Sequence, residues 1–298
     1  MRRYVTFDVF TRTQLAGNAL AVVHDCAGLD AARMQAIARE FNLSETVFVL
    51  PAEKPVHTAR VRIFTPAAEL PFAGHPTVGA AVAIAMEKAG GGDEMMMVLE
   101  EGVGPVRCGV SLHGKSAGHA VFDLPKHPEA IEATFNRDAI AAALGLVPAE
   151  VGFENHEPAA STAGLPFVFV PVRDLAAIGR ASPQAGAWTA ALSGAASAMY
   201  LYTRQTVTPG NRFHARCFAF GLGISEDPAT GSAVAAFAGI IRRFDALPSG
   251  SHRILIEQGV EMKRPSLVAL EVDIERGKIA AARIGGDAVK VTEGLLAA

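Results

Sequence analysis

The chain has 298 residues, enough for two domains of ordinary size, and 50% hydrophobic against 19% charged residues excludes a disordered or low-complexity protein. Lys and Arg number 27 against 30 Asp and Glu, and the formal net charge of -3 offers no basic footprint for nucleic acid or an anionic membrane. Three dispersed cysteines, Cys26, Cys108 and Cys217, supply neither a CxxC pair nor an even disulfide framework, which points to a reducing, cytoplasmic setting. In chain order, Asp8 interrupts the apolar start before it reaches the length of a signal-peptide core, and alternation predicts a strand over 3–9. Apolar runs predict strands at 19–23 and 46–50, separated by a helix that Asp30 caps and that ends near Phe41. A strand at 58–64 leads to a small-residue helix over 76–89 that opens at Pro76. The uncharged stretch 181–203 is too polar and too interrupted to span a bilayer. A second small-residue helix over 228–243 opens at Pro228, and strands at 267–273 and 278–284 follow.

Two segments repeat one pattern. RIFTPAAELPFAGHPTVGAAVAIA from Arg62 and RCFAFGLGISEDPATGSAVAAFAG from Arg216 share an Arg-x-Phe strand end, an acidic loop residue, a Pro and a small-residue helix. Pro76 and Pro228 stand 152 positions apart and Phe64 and Phe218 154 apart, close to half the chain. The simplest reading is a duplicated α/β domain with each helix buried in its own half. The halves are placed at 1–127 and 128–298, with the crossing in the Pro-containing, charged stretch 123–135 and a cleft between them.

Several chemistries find no support. GxxxxGK[ST], a GxGxxG after a strand, HExxH and GxSxG are all missing, and the nine histidines show no metal-binding spacing. Acid/base work by carboxylates and histidine remains. The two helix starts, Gly74-His75-Pro76-Thr77 and Asp227-Pro228-Ala229-Thr230-Gly231-Ser232, present unpaired N–H groups and the positive end of a helix dipole. Taken singly, each reads as an ordinary cap, with Asp227 capping its helix and His75 on a loop; the matched pair points to a shared carboxylate site. Glu45 sits where a helix hands over to a strand. Burial there would let it take and return a proton, although alone it reads as a solvated strand-end Glu.

Three segments, Asn42–Phe48, Glu69–Gly79 and Ser225–Ala233, together resemble the PhzF (phenazine biosynthesis) isomerase family, and Gly17–Val23 fits the first strands of that family. The resemblance runs from the first strand to at least Phe237. It implies an α/β (α+β) diaminopimelate epimerase-like fold: two pseudo-symmetric halves, each a sheet wrapped around a central helix, with the active site between them. It implies that Glu45 is the general acid/base that moves a proton between carbons of a small carboxylated substrate, with His75 and Asp227 orienting polar groups or relaying protons. Substrate contacts fall to Asn18, Ser44, Gly74, His75, Gly231 and Ser232. No cofactor or metal is implied, and members are homodimers; the best-known one isomerises trans-2,3-dihydro-3-hydroxyanthranilate. Two other readings stay open: an epimerase or racemase at a carbon α to a carboxylate, and a non-catalytic member that binds a small molecule or a protein. Cysteine-dependent relatives carry a thiol at each helix start, whereas Cys217 here reads as a buried small hydrophobe. The chain departs from the family pattern at Phe218-Ala219-Phe220-Gly221 and at Val234, which leaves the substrate open.

Overall fold

The computed structural model describes residues 1–88, 93–220 and 224–297; the last residue of the helix expected over 76–89, and Gly221, lie outside them. In chain order the elements are β1 (Arg2–Val9), β2 (Asn18–Val23), α1 (Ala31–Phe41), β3 (Glu45–Leu50), β4 (Ala59–Phe64), β5 (Glu69–Leu70), α2 (Gly74–Lys88), β6 (Glu94–Glu101), β7 (Gly104–Leu112) and β8 (Ala117–Asp123). They continue with β9 (Glu129–Ile131), α3 (Arg137–Leu144), β10 (Ala159–Thr162), β11 (Pro166–Pro171), α4 (Leu175–Arg180), α5 (Ala185–Leu192), β12 (Met199–Thr203) and β13 (Phe213–Ala219). The last are β14 (Ile224–Asp227), α6 (Gly231–Phe244), β15 (Gly250–Gln258), β16 (Ser266–Glu275) and β17 (Lys278–Leu296). Two compact units result, Met1–Pro125 with Arg283–Ala298, and Lys126–Ala282.

In the first unit β1 pairs antiparallel with β2, β2 parallel with β3, β3 antiparallel with β4, and β4 parallel with β6. Antiparallel pairing then runs from β6 through β7 and β8 to β17, which returns to β1. The ring closes, so each of its eight strands has a neighbour on both sides, with the short β5 attached to β4. Its interior is filled by α2, whose residues 74–85 are all buried. A helix apolar all round has no solvent face to offer, and small side chains let the strands close on it. At Gly79 an added Cβ would stand 2.4 Å from Leu20 Cδ2 and 2.9 Å from Val9 Cγ2. Outside the ring, Asp30 caps α1 by accepting from Arg33 N, and Met34, Ile37 and Ala38 cover Phe48 and Phe64.

The second unit repeats the pairing order. β10 is antiparallel to β11, β11 parallel to β12, β12 antiparallel to β13, and β13 takes the short β14 antiparallel and β15 parallel before β15 meets β16 antiparallel. α6 is the enclosed helix, packed against β9, β10, β11 and β16. Its Phe237 sits among the rings of Phe169, Tyr200, Tyr202 and Phe213, with centroids 4.6 to 5.7 Å away. α3, α4 and α5 form a separate apolar layer with Val168, Val170, Leu201 and Trp188.

The fold corrects three expectations. The segment from Arg283 onward joins the first unit, because β17 supplies the strand between β8 and β1; a simple cut into 1–127 and 128–298 misplaces it. Neither enclosed helix starts at its proline. α2 starts at Gly74 with Pro76 inside its first turn, where the missing N–H would have had no helical partner, and α6 starts at Gly231, after Pro228. The true counterpart of Pro228 is Pro71. Each stands three residues before its helix, and each is approached by a glycine after the next long strand: a Cβ on Gly102 would stand 2.8 Å from Pro71 Cα, and one on Gly259 2.6 Å from the Pro228 carbonyl oxygen.

Candidate active site

Glu45 opens β3 beside Leu20 of the parallel strand β2, so both side chains point to the face that Leu20 turns toward Gly79 of α2. Asn18, two residues before Leu20, shares that face and is buried. The turn before it needs Gly17: at φ +63°, a Cβ there would stand 2.4 Å from the Val9 carbonyl oxygen. Ser44 is half-buried immediately before Glu45.

At the start of α2, Gly74 and His75 are buried, and His75 Nε2 lies 3.4 Å from Glu45 Oε2. That distance exceeds an ordinary hydrogen bond. Burial pushes the His75 ring down to about 3, so at neutral pH the ring is uncharged and the contact joins a carboxyl group to neutral imidazole, not to a cation. The N–H groups of Gly74 and His75 belong to the first helical turn, which has no carbonyl four residues back within the helix, and they carry the positive end of its dipole. This mouth therefore combines the Glu45 carboxyl group, a neutral ring able to donate or accept one hydrogen bond, and donors suited to an anion.

A second layer holds the first. Thr77 Oγ1 lies 2.7 Å from the Ala73 carbonyl oxygen and 2.8 Å from Oε1 of Glu101, the buried last residue of β6. Val103 N donates to the Pro71 carbonyl at 2.9 Å, and Phe72 meets Phe122 edge-on.

In the second unit, Asp227 ends β14 and its Oδ2 accepts from Thr230 Oγ1 at 2.5 Å. Thr230, not Asp227, holds the position before the helix, and Gly231 and Ser232 are the first residues of α6. Buried Gln258 ties the turn together: its Oε1 accepts from Thr230 N at 3.2 Å, and its Nε2 donates to the Asp227 carbonyl at 2.7 Å. The expected residues thus gather as Asn18, Ser44, Glu45, Gly74 and His75 in one unit and Asp227, Gly231 and Ser232 in the other. Glu101 and Gln258, which brace Thr77 and Thr230 of the two motifs, were not foreseen from the sequence. Their signal was there: Glu101-Gly102 and Gln258-Gly259 share the 157-residue offset of Pro71 and Pro228.

The Arg-x-Phe motifs recur as built structures. Arg62 clasps Glu69 with Nε and Nη2 at 2.7 and 2.6 Å, and Arg216 clasps Glu226 at 2.7 and 2.8 Å. All three cysteines are buried free thiols; burial raises Cys26 to about 11 and lifts Cys108 and Cys217 further, which suits inert packing. Among the described residues no three His, Cys, Asp or Glu side chains are grouped as metal ligands, and no helix is long and apolar enough to cross a membrane.

The family model described as phenazine biosynthesis-like protein matches residues 7–294. An uncharacterized isomerase of Mesorhizobium japonicum is 54% identical over 99% of this chain and 98% of its own length. Trans-2,3-dihydro-3-hydroxyanthranilate isomerase of Pseudomonas aeruginosa is 34% identical over 99% of each chain. Among solved structures, a PhzF-family phenazine biosynthesis protein of Bacillus anthracis matches with a TM-score of 0.87 at 24% identity over 99% of each chain. A hydroxyproline epimerase from Agrobacterium vitis shares the fold with a TM-score of 0.65 at 10% identity, covering 98% of this chain and 90% of that one. With its paired enclosed helices and epimerase-like architecture, the chain belongs to the phenazine biosynthesis-like (PhzF) family, whose curated relatives include named isomerases.

Proposed function

We propose that this protein is a cofactor-free isomerase in which Glu45 moves a proton between carbons of a small, unsaturated or hydroxylated carboxylic acid. The observation that carries the reading is the Glu45–His75 pair at the start of α2. The substrate carboxylate is held by N–H groups of Gly74 and His75, which brings its activated C–H against Glu45. Glu45 removes the proton and returns it to a neighbouring carbon. The neutral His75 ring orients the Glu45 carboxyl and donates to negative charge as it develops, a role that a preorganised uncharged donor performs without solvent reorganisation. In the second unit, Asp227, Gly231 and Ser232 form a second set of polar groups around the start of α6. The 34% identity to trans-2,3-dihydro-3-hydroxyanthranilate isomerase supports the substrate class, and the family resemblance supports a homodimer.

The test is proton NMR in D2O with trans-2,3-dihydro-3-hydroxyanthranilate and a panel of related acids, wild type beside Glu45→Gln. Wild type should give an isomerised product carrying deuterium, and the variant should lose on the order of 10³-fold in kcat with ligand affinity by calorimetry nearly unchanged. Equal turnover by Glu45→Gln would overturn the role of Glu45. Binding without deuterium exchange in wild type would overturn the isomerase reading in favour of a binding role.

A further inference from the structure

Glu101 lies outside the proton-transfer set, yet it is buried directly behind the start of α2. The hydroxyl of Thr77 has one hydrogen and two oxygen neighbours, the Ala73 carbonyl at 2.7 Å and Glu101 Oε1 at 2.8 Å. If Thr77 donates to Ala73, the Glu101 carboxyl must carry the second hydrogen. The other Glu101 oxygen, Oε2, is buried with no hydrogen-bond partner among the described residues, a position that a full carboxylate charge would make very costly.

The second unit answers independently. At the matching position, 157 residues on, stands Gln258, again last in its strand, again followed by a glycine pressed on the proline ahead of the helix. Gln258 is a permanently neutral side chain, and its Nε2 donates into the helix-start turn, to the Asp227 carbonyl and to Thr230 Oγ1. One half thus uses an amide where the other uses a carboxyl group. A carboxyl group matches the amide as donor as well as acceptor only when it is protonated.

We propose that Glu101 is a positioning residue which, as the neutral acid, donates to Thr77 Oγ1 while Thr77 donates to the Ala73 carbonyl, and so fixes the first turn of α2 and the placement of Gly74 and His75 against Glu45. The inference rests on the isomerase reading only for its kinetic consequence. Burial pushes Glu101 up to about 8, opposed by its bond with Thr77. Among the described residues, the surrounding groups supply no competing cation. Cys108 on β7 and His75 on α2 are held neutral by burial, Arg107 on β7 pairs with Asp123, and on the β4 side Arg60 and His57 pair with Glu53 and Glu100. Ionisation of Glu101 on the alkaline side turns the Thr77 hydroxyl toward the carboxylate and leaves the Ala73 carbonyl with the longer bond from Thr77 N, at 3.2 Å.

The experiment follows the His75 ring by 15N NMR from about pH 6 to 10, assigned by its loss in His75→Asn. Wild type should shift with a midpoint near pH 8, as should Glu45→Gln, which removes the carboxyl in contact with the ring; Glu101→Gln and Thr77→Val should stay flat. In turnover, wild type should lose kcat with that same midpoint and Glu101→Gln should show no such limb. Glu101→Ala should lose on the order of tenfold in kcat with KM little changed, and the Gln variant should restore most of it. A flat His75 signal in wild type, or a Gln variant as impaired as Ala, overturns the proposal. Should no acid in the panel be turned over, the isomerase reading fails while the His75 titration still decides the role of Glu101.

Discussion

The buried cluster around His214 yields a stability profile that can be worked out before any measurement. His214, with its side chain fully enclosed, faces Glu257 Oε1 with Nδ1 at 2.9 Å and Glu261 Oε1 with Nε2 at 2.9 Å. Both ring nitrogens meet acceptors, so both must carry hydrogen and the ring is an imidazolium. Burial opposes that charge, but the bonds to Glu257 and Glu261 outweigh it and raise the ring to about 9, from 6.5. A raised pKa means that the folded state keeps a proton which the unfolded chain has released. The contribution, about 3 kcal/mol, is therefore complete below pH 6.5 and disappears as pH climbs from 6.5 to 9, with a slope of up to about 1.4 kcal/mol per pH unit. The same attraction, seen from Glu257, helps its hydrogen bonds outweigh burial and hold that carboxyl down at about 2; the two views are one interaction and do not add. The perturbation is His214→Gln, which leaves two buried carboxylates facing a neutral amide. Urea unfolding read by Trp188, the single tryptophan and a core residue of the same unit, should show wild type ahead by about 3 kcal/mol near pH 6 and the gap closing by about pH 9. A gap that stays constant across that range would refute the reasoning.

Two further outcomes rest on packing. Phe237→Ala removes the ring that four aromatic neighbours enclose at 4.6 to 5.7 Å, and should cost about 4 kcal/mol in the Trp188 unfolding transition; a loss below about 1 kcal/mol would contradict the enclosed position of the ring. Gly259→Ala places a Cβ 2.5 Å from the Arg264 carbonyl oxygen and 2.6 Å from that of Pro228, at φ +75°, and should cost on the order of 3 kcal/mol because backbone atoms cannot step aside; an unchanged Tm would refute it.

Much of the functional region was legible in one dimension because its signals are local. Asp30 announces the α1 start through a cap completed three residues later, and alternation marks both β4, with one face turned inward, and β1, whose last three residues are buried on both faces. The small residues of α2 and α6 announce enclosure, since only short side chains let strands close around a helix. The motif segments around Glu45, His75 and Asp227 carry the family on their own. Less came through for α3, α4 and α5: at six to eight residues they are too short for an apolar stripe to stand out, although Asn136 and Asp174 cap the first two.

Long-range pairing decided the rest. That β17 closes the first ring between β8 and β1 depends on hydrogen bonds between residues more than 100 positions apart, which no local pattern encodes. Composition suggested Pro76 as the partner of Pro228, and only the approach of Gly102 to Pro71 and of Gly259 to Pro228 shows which prolines correspond. Sequence alone determined that two small-residue helices lie enclosed in sheet and that a glutamate stands at a helix–strand junction, because periodicity and side-chain size are properties of neighbours along the chain. Tertiary structure alone placed neutral His75 against Glu45 and Glu101 behind Thr77, because burial, and with it the protonation state each group can hold, is set by whatever distant chain arrives to exclude water.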